Sequence, residues 1–449
     1  MIILLGLLVT SCEKALDEQK PQASLDAGTA FVDGPSVNAG INGVYSGLQS
    51  GNYYGLRYQI MADLGADNLS HVGTFPSFSQ IFNKSILPDN AEVVNMYNSI
   101  YANINNANTL IEAIPTVTDP TLNKDNALAP LRTMRALMYF DLIRYWGGSP
   151  DGYAKAGGVG VSLKLTATKS EADAVPIARS TEAQVYTQIL ADIDFALGVT
   201  TFTDRVANRV GKDVARALKA RVQLYREQFD DAEALATTLI LSGRYPLVSN
   251  SNYFNLWFLK NQSEAIFELD FNTADQNNIA FFYYPSNRGG RNEISSSAGL
   301  NTAHEANDVR KPINFTTTVP TAKTAKATRV GTGDDNVIIF RSSEMYLIRA
   351  EARLRKPTPN FPGALSDLNE IRRRAGLTDF VSLAPADLLN AILRERRVEF
   401  AHEGHRLFDL RRLNRVSILG ISQPFRALWP IPQREVLTSG GIITQNTGY

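Results

Sequence analysis

The sequence predicts a mostly α fold, in which short antiparallel helix pairs support a loop-rich, irregular face with a few short strands. Three observations carry that prediction. Apolar residues recur every three to four positions through most long segments, as a helix with one buried face requires. Small alanines fall where paired helices must touch, in 213–242 and again in 343–374. Composition then shifts to Gly, Asn, Ser, Thr and aromatics near 47–88, 272–298 and 301–336, and segments that long without periodicity are usually functional loops.

The elements follow in chain order. Residues 2–9 read IILLGLLV, too short for a bilayer span of about 20 residues but suited to the apolar part of an export signal. Val9-Thr10-Ser11-Cys12 follows at once and looks like a bacterial lipobox, with Cys12 the only cysteine in the chain. We therefore expect a signal over 1–11, lipidation at Cys12, a polar tether over 12–24 and one helical domain over 25–449. No Lys or Arg precedes the apolar run, so the expected signal begins upstream of Met1. Acyl chains contribute about 0.8 kcal/mol per buried CH₂, which holds a water-soluble body at a membrane.

Periodicity places helices at 92–114, ended by Pro115; at 129–145, stopped by Gly147-Gly148-Ser149-Pro150; and at 181–197, with Thr181 as N-cap. Residues 213–242 form two helices about a turn at 228–230. Residues 343–355 and 362–374 repeat the scheme. These pairs look like tetratricopeptide-type repeats, here irregular and interrupted, and imply a right-handed scaffold with grafted loops. Short strands are expected at 265–269 and 337–340.

Charge and motifs exclude several functions. The 449 residues carry 45 Lys plus Arg against 45 Asp plus Glu, a balance that disfavours binding driven by nucleic-acid phosphates. Seven arginines lie between 394 and 415, but Glu395, Glu399, Glu403 and Asp409 interleave with them, so ion pairing explains the run without nucleic acid. His402 and His405 are three apart with Gly404 between, not the i, i+4 pair of a zinc-protease helix, and read as structural. The Gly-rich 157–160 and 331–333 lack the other residues of a phosphate loop. We expect no metal and no cofactor. Trp146 and Trp429 read as packing; Trp257 is ambiguous, with the core favoured.

Several stretches together resemble the SusD/RagB family of outer-membrane lipoproteins. Residues 12–21 (CEKALDEQKP) look like its lipidated start, and 135–148 (RALMYFDLIRYWGG) like its second helix and the stop after it. Residues 341–352 (RSSEMYLIRAEA) and 368–377 (LNEIRRRAGL) look like its late helix pair. Residues 394–412 (RERRVEFAHEGHRLFDLRR), 428–433 (LWPIPQ) and the ending QNTGY complete the series, with Thr447 where the family usually has Pro. The resemblance implies a non-enzymatic protein, lipid-anchored on the outer membrane and facing the exterior. Such a protein binds a nutrient, usually a glycan, and passes it to a SusC-like TonB-dependent barrel. Peptide capture is the alternative within that role, and a surface glycosidase the alternative outside it.

The resemblance carries over no ligand residue, so candidates come from loop chemistry. Sugars present apolar C–H faces and a rim of hydroxyls, matched by aromatic rings and by Asn or Arg donors. The run Phe281-Phe282-Tyr283-Tyr284, followed by Asn287, Arg288 and Arg291, has that composition. Its competing reading is a buried strand whose alternate aromatics fill core. A second candidate group is Tyr53, Tyr54, Phe75 and Phe78 in the early loop-rich stretch, near His71.

Overall fold

The computed structural model describes residues 30–206, 208–316 and 323–449. The expected signal, Cys12 and the tether lie outside them. The chain is mostly helical, as the periodicity predicts.

The first helix, α1 (Gly34–Gln49), starts at Asp33, whose side chain accepts from the Ser36 N–H in a capping box. Two helices, α2 (Arg57–Gly65) and α3 (Pro76–Phe82), occupy much of the early stretch expected to be loop. A run of longer helices follows: α4 (Ala91–Ala113), α5 (Lys124–Trp146), α6 (Glu182–Gly198), α7 (Lys212–Tyr225) and α8 (Phe229–Leu241). The later part of the chain adds α9 (Ser342–Arg355), α10 (Phe361–Arg374), α11 (Pro385–Glu399) and α12 (Arg406–Arg412).

Each of these helices packs on the next from α4 to α11, and α1 lies on α4. The alanines at the crossings, Ala217, Ala232, Ala236, Ala350 and Ala364, are fully buried, which lets the axes approach closely. α5 is buried on almost every side, so its apolar pattern runs all round. Trp146 and Trp429 are core residues, and the Trp146 indole donates to the Pro430 carbonyl at 3.0 Å. Thr181 caps α6: its hydroxyl accepts from the Gln184 N–H at 3.2 Å and the Gln184 side chain accepts from the Thr181 N–H at 2.9 Å. We predict that Thr181→Ala lowers stability by about 1 kcal/mol, read from the urea unfolding midpoint at unchanged slope.

Among the described residues the strands form three two-stranded antiparallel sheets. These pair β1 (Leu69–His71) with β5 (Ile294–Ser296), β2 (Val159–Ser162) with β3 (Arg179–Thr181), and β4 (Ala265–Leu269) with β6 (Val337–Arg341). The last pair joins the two strands read from sequence. Residues 281–284 are not a strand: they begin within a short helical turn, Ile279–Tyr283.

The arginine-rich C-terminal segment pins itself to the body, with partners mostly from other elements. Asp409 pairs inside the segment, with Arg396 and Arg412, whereas Arg397 and Arg406 reach Asp67 at the end of α2. α12 also packs against α2. These contacts draw the early loop-rich stretch to the same side of the molecule as the late one.

Candidate ligand-binding site

The two candidate stretches meet through β1 and β5, in the register Leu69↔Ser296, Ser70↔Ser295 and His71↔Ile294. Past the strands, the Val72 and Gly73 N–H groups both donate to the Glu293 carbonyl at 3.0 Å. The 281–293 loop closes on itself. Arg291 N–H donates to the Phe281 carbonyl at 2.7 Å, and Glu293 N–H to the Phe282 carbonyl at 2.8 Å. Gly290 is required at the neck, since a Cβ there would stand 2.1 Å from the Tyr284 carbonyl oxygen.

The junction is an aromatic cluster. Phe78 is its buried base, with the Phe282 ring 5.6 Å away. Phe75 lies 6.1 Å from Phe78 and 6.2 Å from Phe282, and both Phe75 and Phe282 are half-buried. Phe281, 5.7 Å from Phe282, is 37% exposed and forms the outer edge. The Arg291 guanidinium lies over Phe75, its central carbon 3.7 Å from the ring centre, a distance at which cation and ring attract each other.

Glu293 fastens the assembly. One carboxylate oxygen accepts from the Phe75 N–H at 2.6 Å and from the His71 ring at 2.8 Å; the other faces the Arg291 Nε at 3.3 Å. Burial alone would raise its pKa. The donated hydrogen bonds from Phe75, His71 and Thr74 outweigh burial and hold the carboxyl below its ordinary value, so it stays ionised. Glu293 escaped the sequence reading; its one signal was being the sole acid in an otherwise Asn- and Arg-rich loop.

The structure sorts the candidates. Phe75, Phe282 and Arg291 come together on one surface, and Asn287 and Arg288 stand exposed at the loop tip. Phe78 faces inward as packing. Tyr283 and Tyr284 are 1% and 6% exposed, and their hydroxyls are spent inside: Tyr283 on the His402 Nδ1 at 2.8 Å, Tyr284 on the Thr324 carbonyl at 3.0 Å. Tyr53 and Tyr54 are buried too, and both hydroxyls donate to Asp141. Phe78 and these four tyrosines offer no face to a ligand, because each ring is enclosed and each phenol oxygen already has its partner. His402 also bonds the Asn314 carbonyl through Nε2 at 2.9 Å, and burial pushes its pKa down to about 3, so it is a neutral packing residue. Trp257 is half-buried with the Lys326 ammonium 4.2 Å from its ring. Among the described residues no group of three His, Cys, Asp or Glu side chains is placed to hold a metal.

The platform is open rather than enclosed. A cleft of about 550 Å³ lies elsewhere, along α1, with Asn38, Asn42, Asn123 and Asn126 around Ile41 and Phe202. An open aromatic edge with guanidinium and amide neighbours suits a chain-like ligand lying across it more than a small molecule enclosed by it.

The helical scaffold carries an aromatic platform on two converging loops, and no helix among the described residues is long and apolar enough to cross a membrane. The family model for the SusD family matches residues 276–417, and one described as starch-binding and associating with the outer membrane matches 16–224. The chain belongs to the SusD family. A SusD-like protein of Formosa agariphila is 25% identical, the match covering all of this chain and 98% of that one. A SusD superfamily protein from Bacteroides vulgatus has the same fold, with TM-score 0.80 at 24% identity over 93% of this chain and all of that one. So does a laminarin-binding SusD-like protein, with TM-score 0.75 at 20% identity over 93% of this chain and all of that one.

Proposed function

We propose that this protein captures an oligo- or polysaccharide on the Phe75–Phe281–Phe282–Arg291 platform, without cleaving it, and delivers it to a TonB-dependent outer-membrane barrel of the SusC type. Lipid at Cys12 would hold it on the outer membrane, facing the exterior. The observation that carries the reading is the convergence of two loops more than 200 residues apart on one exposed aromatic edge, fixed from behind by Glu293. Two facts add support. A family model matching this chain is described as starch-binding and outer-membrane-associated, and a protein of the same fold binds laminarin.

Stacking supplies the affinity, and the loop-tip Asn287 and Arg288 supply hydrogen bonds. Phe281→Ala is the clean test because that side chain is partly exposed and its loss leaves the fold intact. Calorimetry against a panel of soluble glycans is expected to show binding weakened about three- to tenfold at an unchanged melting temperature. Equal affinity in the variant and the parent would refute the site. Recovery of the bound glycan uncut supports capture over hydrolysis, and failure to co-purify any such barrel from native membranes would refute the partnership.

A further inference from the structure

The charge around the platform is one-sided. In 71–78 and 281–293 the only carboxylate is Glu293, and both its oxygens are engaged by His71, Phe75 and Arg291. Against it stand three cations. Arg291 gives only its Nε to Glu293, at 3.3 Å; among the described residues its two terminal nitrogens meet no partner, and the stack on Phe75 holds them in place. Arg288, exposed at the loop tip, has no carboxylate partner among the described residues. Lys323 is buried behind the loop, its ammonium donating to the Asn292 side chain at 2.6 Å and the Ile294 carbonyl at 2.9 Å, with no acid beside it among the described residues. Burial lowers its pKa to about 8, which leaves it mostly protonated at neutral pH. The chain as a whole is neutral, so this local excess is an arrangement and not a reflection of composition.

We propose that the platform selects sugars carrying a carboxylate or sulfate, the aromatic edge taking the ring and the free guanidinium nitrogens of Arg291 and Arg288 taking the oxyanion. The inference rests on the reading of this surface as a glycan platform. A guanidinium presents planar paired donors that match a carboxylate or sulfate, and a neutral sugar offers no charge to repay their desolvation. Steering by the unbalanced field also makes capture sensitive to salt.

The test compares three soluble oligosaccharides of equal length: an oligogalacturonate, a sulfated oligosaccharide and a neutral laminari-oligosaccharide. Each is titrated calorimetrically, at low and high salt, into the parent protein, Arg288→Gln, the double variant Arg288→Gln/Arg291→Gln, and Phe281→Ala. At least one anionic ligand is expected to bind about tenfold tighter than the neutral one. It is expected to lose about tenfold in the double variant and a smaller factor in Arg288→Gln, and to weaken with salt. The arm that binds identifies the oxyanion. A neutral chain binding as tightly, with the arginine variants unchanged and Phe281→Ala still weakened, overturns the charge selection and leaves the platform standing. Binding untouched by Phe281→Ala overturns both. Arg288 sits at an exposed tip, so its single variant remains readable even where Arg291→Gln disturbs the Glu293 anchor.

Discussion

Glu399→Gln is expected to destabilise the protein by about 3 to 5 kcal/mol, the cost of stripping a counter-charge from a buried ion network. Glu399, at the end of α11, is fully buried and pairs with Arg341, Arg374 and Arg310. Glu264 bridges Arg341 and Arg374 from the other side, at 2.9 and 2.7 Å. Glu403 joins Arg341 to Lys326, at 2.9 and 2.7 Å. The glutamine keeps the shape and removes the charge, leaving three buried guanidiniums with fewer anions than they were folded around. Urea unfolding is the measurement. Glu370→Gln is the control: its pair with Arg373 is solvent-exposed, and such pairs contribute about 0 to 1 kcal/mol. A loss at Glu399 no larger than at Glu370 would contradict the account.

The pH dependence follows from the same charges. Burial pushes Glu399 up, but Arg374, Arg341 and Arg310 more than reverse this and hold it well below the ordinary glutamate value of 4.5. A lowered carboxylate contributes stability that is present in full above its unfolded pKa and is lost as pH falls through its folded pKa. The gap between parent and Glu399→Gln is therefore expected to be constant from neutral pH down to about 4.5 and to close only in stronger acid.

That network also shows where sequence reading reaches its limit. The interleaved acids and arginines of 394–415 correctly announced ion pairing, because opposite charges at helical spacing rarely stay unpaired. The partners were not legible. Glu395 and Glu399 turn inward to Arg310, and Arg341 and Arg374 arrive from β6 and α10. The helix pairs were legible because a 3.6-residue period needs only local information. The β1–β5 junction was not. Leu69-Ser70-His71 and Ile294-Ser295-Ser296 are three-residue strands with no alternating pattern, joined across more than 200 residues.

Chemistry misdirected the reading inside the aromatic run. Tyrosine carries a polar tip, so Tyr283 and Tyr284 read as ligand contacts alongside Phe282. The fold reverses this because each phenol finds an acceptor indoors, after which burying the ring is favourable. Phe281, with no such partner available to it, is left at the edge. Residue type alone cannot reveal this, since the acceptors come from Thr324 and His402, far along the chain.

The same reversal at Tyr53 and Tyr54 leads to the other large effect. Asp141 on α5 is fully buried and accepts from both tyrosine hydroxyls and from Arg144, one turn on. Arg144 is itself fully buried among rings, its guanidinium 4.6 Å from Phe140 and 4.8 Å from Phe408, and Asp141 is its carboxylate partner. Asp141→Ala thus leaves a buried cation without a counter-ion and two phenols without an acceptor. The unpaired charge alone costs about 3 to 5 kcal/mol. Replacing both members, Asp141→Leu with Arg144→Leu, is expected to cost less than Asp141→Ala, because neither partner is then stranded. Tyr53→Phe and Tyr54→Phe remove one donor each while Asp141 keeps its other partners, and are expected to cost about 1 kcal/mol apiece. If these rings are packing and not ligand contacts, both phenylalanine variants keep full glycan affinity while losing that stability. Calorimetry beside urea unfolding separates the two roles. An affinity loss at either tyrosine would return it to the binding surface, and an Asp141→Ala variant within about 1 kcal/mol of the parent would show that Arg144 has another way to meet its charge.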